Sequence, residues 1–172
     1  NKEGHKWDPM EKTAHLKELI DCNERNEEIC DALEDLVRAG HNVVAFTEIV
    51  DHAIWIHQEM SRRLPGVNPI LYYGTMKPDS AKKKAYEDVK ANRSMLTITT
   101  YKAAGTGLDV KPWTDIWFMT PMKSAASVKQ TIGRGRRTDT GKTRCVLHDL
   151  VDNNDPTLVA KYNQRAKVYQ TL

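Results

Sequence analysis

Short stretches of the chain that are apolar on consecutive residues, Val43 to Phe46, Ile70 to Tyr73 and Ile116 to Met119, read as strands, with Met95 to Thr99 and Cys145 to Leu150 as further candidates. A strand with one wet face alternates apolar and polar residues, whereas continuous runs suit strands covered on both faces, the habit of parallel sheets. Between the runs the apolar spacing becomes helical. Ile29, Cys30, Leu33, Leu36 and Val37 share one face and stop at Gly40, and Ala53, Ile56, Met60 and Leu64 form a second stripe closed by Pro65 and Gly66. Ala81, Ala85 and Val89 mark a lysine-rich helix that Ser80 can cap and that runs through Lys90. Another helix is predicted from about Ser124 toward Arg134, and Leu158, Val159, Tyr162, Ala166 and Tyr169 mark a closing one. This alternation predicts an α/β fold, a doubly wound and mainly parallel sheet with helices on both faces. Ligands of such sheets collect beyond the carboxyl ends of the strands, so function is expected in the loops after Phe46, Tyr73, Thr99, Met119 and Leu150. Residues 1–23 are expected to be a linker or an extra helix, and residues 24–172 one domain.

The 172 residues suffice for a single core, and 28% charged with 40% hydrophobic residues excludes both disorder and a membrane protein. No apolar run approaches the roughly 18 residues that span a bilayer, and residues 1–10 hold no signal-peptide apolar stretch, so no membrane partner and a cytoplasmic location are expected. Cys22, Cys30 and Cys145 are an odd count without Cys-x-x-Cys spacing, which argues against a disulfide framework and a zinc site. The net charge of +3 hides an asymmetry. The first forty residues carry eleven carboxylates against six cations, while Lys123 to Arg144 holds seven cations against Asp139. A basic patch on a near-neutral chain points to a phosphate-bearing partner at one place.

Two segments carry the chemistry. Gln130-Thr131-Ile132-Gly133-Arg134-Gly135-Arg136-Arg137 sets one amide and three guanidiniums around two glycines, directly after a predicted helix. A guanidinium donates two parallel hydrogen bonds and never deprotonates, which suits a developing phosphate charge. Thr99 to Val110 leaves a strand through the small residues Ala103, Ala104, Gly105, Thr106 and Gly107, letting backbone amides face a ligand, with Asp109 able to accept from ribose hydroxyls. Lys82, Lys83 and Lys84 read as a solvated helix face with an alternative role against a nucleic-acid backbone. Trp55, Trp113 and Trp117 could stack bases, although the apolar run around Trp117 favours the core.

In this order and separation the two segments resemble motifs V and VI of superfamily 2 helicases, and the chain resembles their C-terminal RecA-like domain over roughly Asn26 to Asp152. Gln130, Gly133, Arg134 and Arg137 match the pattern Gln-x-x-Gly-Arg-x-x-Arg. Val43 to Thr47 resembles motif IV, and Tyr73-Gly74 the turn before the next helix. Lys129 to Arg134 and the Ser/Thr-rich motif V are nearest to phage helicases of the branch-migration and repair kind. Gly105-Thr106 stands where many RNA-unwinding members have a single Arg, a departure from the DEAD-box branch.

The resemblance implies the C-terminal motor domain of an ATP-dependent helicase or translocase acting on nucleic acid, DNA rather than RNA. Arg134 and Arg137 would be arginine fingers at the γ-phosphate, with Gln130 arranging the contact. Gly105, Gly107, Asp109 and Gly133 would touch the nucleotide, and Thr47, Gly74, Thr100 and Lys102 the nucleic acid. ATP and Mg2+ would be gripped by an N-terminal RecA-like domain of the same protein, because no Walker A or B motif occurs in this sequence, so the chain alone is expected to be inactive. Two alternatives stand beside this reading. One is a non-catalytic nucleic-acid-binding module. The other is a small P-loop NTPase using a degenerate Walker A near Gly141, where Gly135 to Thr143 has five residues between its glycines instead of four and precedes a strand.

Overall fold

The continuous apolar runs become the strands of one parallel sheet. The computed structural model describes residues 9–104, 108, 113–121, 129–130, 132 and 144–171. In chain order these form α1 (Pro9–Asp21), α2 (Asn23–Arg38), β1 (Val43–Thr47), α3 (Val50–Arg63), β2 (Ile70–Tyr72), α4 (Asp79–Lys90), β3 (Leu96–Thr100), α5 (Tyr101–Ala104), β4 (Asp115–Phe118), β5 (Val146–Asp149) and α6 (Pro156–Tyr169). Residues 129, 130 and 132 are also helical; the rest of the helix predicted from Ser124 to Arg134 lies outside the described residues. No described helix is long and apolar enough to cross a membrane.

The strands lie in the order β2-β3-β1-β4-β5, and every pairing is parallel. Alternate residues of each run feed separate cores. Val43, Ala45, Leu96, Ile98 and Trp117 meet Ile29, Leu33, Ile56 and Met60 of α2 and α3 on one face. Val44, Phe46, Ile116 and Phe118 meet Ala85, Val89, Leu108, Trp113 and Val168 on the other. Every residue of β1, β3 and β4 is buried, while the edge strands β2 and β5 are mostly half-buried. The chain steps outward from β1 to β2 and then returns through β3, β4 and β5 in the opposite direction. Right-handed crossovers therefore put α3 on one face and α4 on the other, as the two cores show. The connections leaving β1 and β4 diverge, which makes the carboxyl ends of these strands the switch point where such sheets bind ligands.

Helix ends follow local chemistry. Gly40 has φ +87°, and the pair of bonds from Gly40 N–H to the Val37 carbonyl and from His41 N–H to the Leu36 carbonyl closes α2 in a Schellman motif. Asn92, at φ 49°, ends α4 in the same way, Asn being the residue after Gly that best tolerates this conformation. The N-cap of α4 is Pro78 rather than Ser80: its extended backbone carries a carbonyl that already accepts from Ala81 and Lys82, so Ser80 falls inside the first turn.

Candidate nucleic-acid interface

A groove of about 830 Å³ opens at the carboxyl ends of β1, β2 and β3. Gly74, Thr100 and Lys102 line it together, joined by Glu48, Lys82 and Lys83. Thr100 begins its contribution as a cap: its hydroxyl accepts the Ala103 N–H at 3.3 Å, which nucleates α5 where the sequence suggests only a turn, and leaves the hydroxyl proton to donate elsewhere. A Cβ added at Gly74 would meet nothing within 4 Å, so the backbone there is open to approach. Lys82 is anchored by donating to the Gly74 carbonyl at 2.6 Å. Three lysines thus face two carboxylates, Glu48 and Asp79, and Asp79 is paired with Lys77 at 2.9 Å. Tyr72 and Tyr86, with ring centres 5.8 Å apart, supply the apolar wall. The sequence singles out neither Glu48 nor Tyr86, although Glu48 directly follows the carboxyl end of β1 and Tyr86 lies one helical turn after Lys82.

Thr47, at the end of β1, does not line the groove with Gly74, Thr100 and Lys102: it is fully buried, with its hydroxyl 2.9 Å from His52 Nδ1. Asn26 uses its amide N–H to hold the Ile20 carbonyl at 2.7 Å, so its oxygen must accept from His52 Nε2 at 3.0 Å. His52 is therefore neutral, protonated on Nε2, and accepts the Thr47 proton on Nδ1. Burial, with the Arg25 guanidinium beside it, pushes His52 down to about 4 from its ordinary 6.5. Between these values the unfolded chain takes up a proton that the folded chain refuses, so stability is lost as pH falls through this window. Denaturant unfolding should show roughly 3 kcal/mol of loss from this group on reaching pH 4. The loss should vanish in His52→Gln, whose amide can accept from Thr47 and donate to Asn26 without titrating; an unchanged pH profile in that variant would refute the assignment.

Beside the groove, Met119 and Thr120 tie several elements to the end of β4. Met119 N–H donates to the Phe46 carbonyl at 2.9 Å, and the Met119 carbonyl accepts from Arg25 Nη2 at 2.7 Å. Arg25, 6% exposed, also reaches Asp152 through Nε at 2.7 Å. The Thr120 hydroxyl accepts the Glu48 N–H at 2.8 Å, and its carbonyl accepts the Tyr101 hydroxyl at 2.5 Å. The Tyr101 ring is stacked on Phe46 and edge-on to Phe118, and burial raises its phenol far above the ordinary value, keeping it a donor.

At the opposite end of the sheet, Asp115 accepts from His41, His148 and Thr114, each at 2.7 Å. Burial raises this carboxyl, but the three hydrogen bonds together outweigh it and hold it below its ordinary range. The cluster stands at the amino ends of the strands, away from the groove.

Residues 24–139, about two thirds of the chain, match the family described as the helicase conserved C-terminal domain. The chain belongs to that helicase family. Its five-stranded parallel sheet is the RecA-like architecture of superfamily 2 helicase C-terminal domains. The domain is similar to UvsW of phage T4, with a TM-score of 0.71 and 17% identity over 98% of this chain and 36% of UvsW. It is also similar to the E. coli DEAD-box protein SrmB, solved bound to regulator of ribonuclease activity A, with a TM-score of 0.63 and 18% identity over 84% of this chain and 80% of that one. S. cerevisiae Dbp5, solved bound to RNA and ADP BeF3, gives a TM-score of 0.66 and 17% identity over 86% of this chain and 37% of Dbp5. The helicase domain thus spans little more than a third of UvsW and of that Dbp5 chain. No curated protein sequence matches it.

Of the residues expected at the nucleotide, only Gln130 is described, exposed and helical, two residues before the buried Ile132. Gly105, Gly107, Asp109, Gly133, Arg134 and Arg137 lie outside the described residues, as does the Gly141 segment of the P-loop alternative. Among the described residues no group of three or more His, Cys, Asp or Glu could hold a metal ion. Trp113 and Trp117 are core residues, 2% and 9% exposed, and Trp55 is the more open at 38%.

Proposed function

We propose that this helicase domain is the second motor domain of an ATP-dependent helicase or translocase that grips the backbone of a single nucleic-acid strand. The observation that carries the reading is the groove at the strand carboxyl ends, which gathers Gly74, Thr100 and Lys102 in a chain of the helicase C-terminal family. Small residues open the backbone, a hydroxyl offers a proton, and lysines neutralise phosphates; none of these reads a base, so binding is sequence-independent and salt-sensitive. ATP is the substrate at the facing N-terminal RecA-like domain, and Mg2+ belongs to that domain. Arg134 and Arg137, arranged by Gln130, stabilise the charge that develops on the transferred phosphate, while Gly105, Gly107, Gly133 and Asp109 border the nucleotide. Loss of the phosphate that both domains hold relaxes the cleft and shifts the Thr47 and Thr100 ends of the sheet along the strand.

DNA is the proposed substrate, on the likeness of Lys129 to Arg134 and of motif V to phage branch-migration and repair helicases. The RNA bound to Dbp5 favours RNA as the second reading. Titration of the chain with single-stranded DNA and RNA of one sequence over a range of salt decides between them. Lys83→Ala and Lys102→Ala should each flatten the dependence of log affinity on log salt by about 0.7, one single-strand phosphate contact apiece. Slopes identical to the parent in both variants would take the nucleic acid out of this groove.

A further inference from the structure

We infer that Tyr101 is a positioning residue that couples nucleic-acid occupancy of the groove to ATP turnover, through its hydrogen bond to the Thr120 carbonyl. The inference rests on the motor-domain reading above. Tyr101 stands between Thr100 and Lys102, two residues of the groove, yet its own side chain turns away into the core, stacked on Phe46. Its hydroxyl crosses to Thr120, the residue from which the chain sets out toward Gln130 and the arginines. Thr120 is held a second time from the groove, because its hydroxyl receives the N–H of Glu48. Met119, one residue earlier, is held instead from the sheet and from α2, by Phe46 and Arg25. Adjacent residues are thus held from different elements, Met119 from β1 and α2 and Thr120 from the loops that follow β1 and β3, and a shift of those loops acts on the Met119–Thr120 peptide before the connection to Gln130. Ring packing alone does not require the hydroxyl, since a phenylalanine fills the same space.

The test uses the complete protein that carries this domain. Tyr101→Phe keeps the ring and removes the link. Turnover stimulated by saturating nucleic acid should fall about tenfold, inside the range usual for coupling between sites, while unstimulated turnover and the affinity for nucleic acid stay within about twofold. Thr120→Val leaves that carbonyl and its bond from Tyr101 in place and removes instead the hydroxyl that holds the Glu48 N–H, so it cuts the second tie to the groove and should lower stimulated turnover in the same direction. Stimulated turnover equal to the parent in Tyr101→Phe overturns the proposal, and so does an equal loss with and without nucleic acid, the mark of a merely structural role. Arg137→Ala run in parallel separates the two levels. If it is inactive while Tyr101→Phe is normal, the coupling fails and the motor reading stands; if it turns over normally, the finger assignment falls, and with it the route from Thr120 to the nucleotide on which the coupling depends.

Discussion

Arg137→Ala in the complete enzyme should lower nucleic-acid-stimulated ATP turnover by about three to five powers of ten while leaving ATP affinity nearly intact. The expectation follows from what a finger does. In the proposed motor it would meet the transferred phosphate from across a cleft, where its charge is worth most in the transition state, whereas the ground-state triphosphate would already be held by the other domain. Single-turnover kinetics with ATP, alongside an equilibrium titration with a non-hydrolysable analogue, separates the two quantities. A variant that turns over at the parental rate would remove Arg137 from the site; one that no longer binds the analogue would make it a binding residue instead.

Arg25→Ala should cost about 3–5 kcal/mol of folding stability, the usual penalty for breaking one side of a buried charge pair. Arg25 donates to Asp152 through two nitrogens, at 2.7 and 3.3 Å, and to the Met119 carbonyl. Its removal strands a carboxylate only 18% exposed and leaves the end of β4 without its brace to α2. For a chain of this length each kcal/mol moves the melting temperature by about 2–4 °C, so a fall on the order of 10 °C is expected in calorimetry. Lys84→Ala, which breaks the exposed pair with Asp88, is the control and should shift stability by less than about 1 kcal/mol. The Arg25 and Asp152 losses should be strongly non-additive, since either truncation already breaks the pair. Equal melting temperatures for Arg25→Ala and the parent would mean that the pair is not formed in solution.

The parts of the fold that were legible in the sequence are those whose signal is local. Val43 to Phe46 and Ile116 to Met119 announce central strands because both faces of those strands are covered, and Gly40 announces the end of α2 because the required φ is positive. The short α5 gives no such signal, since four residues carry no periodicity, and its existence depends on the Thr100 cap. Buried polar groups were the hardest to foresee. Asn23 to Glu28 looks like a solvated face, yet Arg25 and Asn26 are buried, each by partners that the local pattern does not contain. Asp115 reads as a polar strand end and is 1% exposed, because His41 and His148 approach from distant parts of the chain. In the groove, Gly74, Thr100 and Lys102 were legible from family motifs, whereas Glu48 and Tyr86 depend on which loops the topology brings to one end of the sheet.

The strand order also bears on how the polypeptide is made. Within this domain β1 is the first strand to be made, but Val43 finds its neighbours only at Leu96 and Asp115, after β2 has already appeared with no place to pair. A largely apolar segment therefore waits without a mate while much of the domain is translated, the condition under which nascent chains recruit holding chaperones and permutants that bring late strands forward become easier to produce.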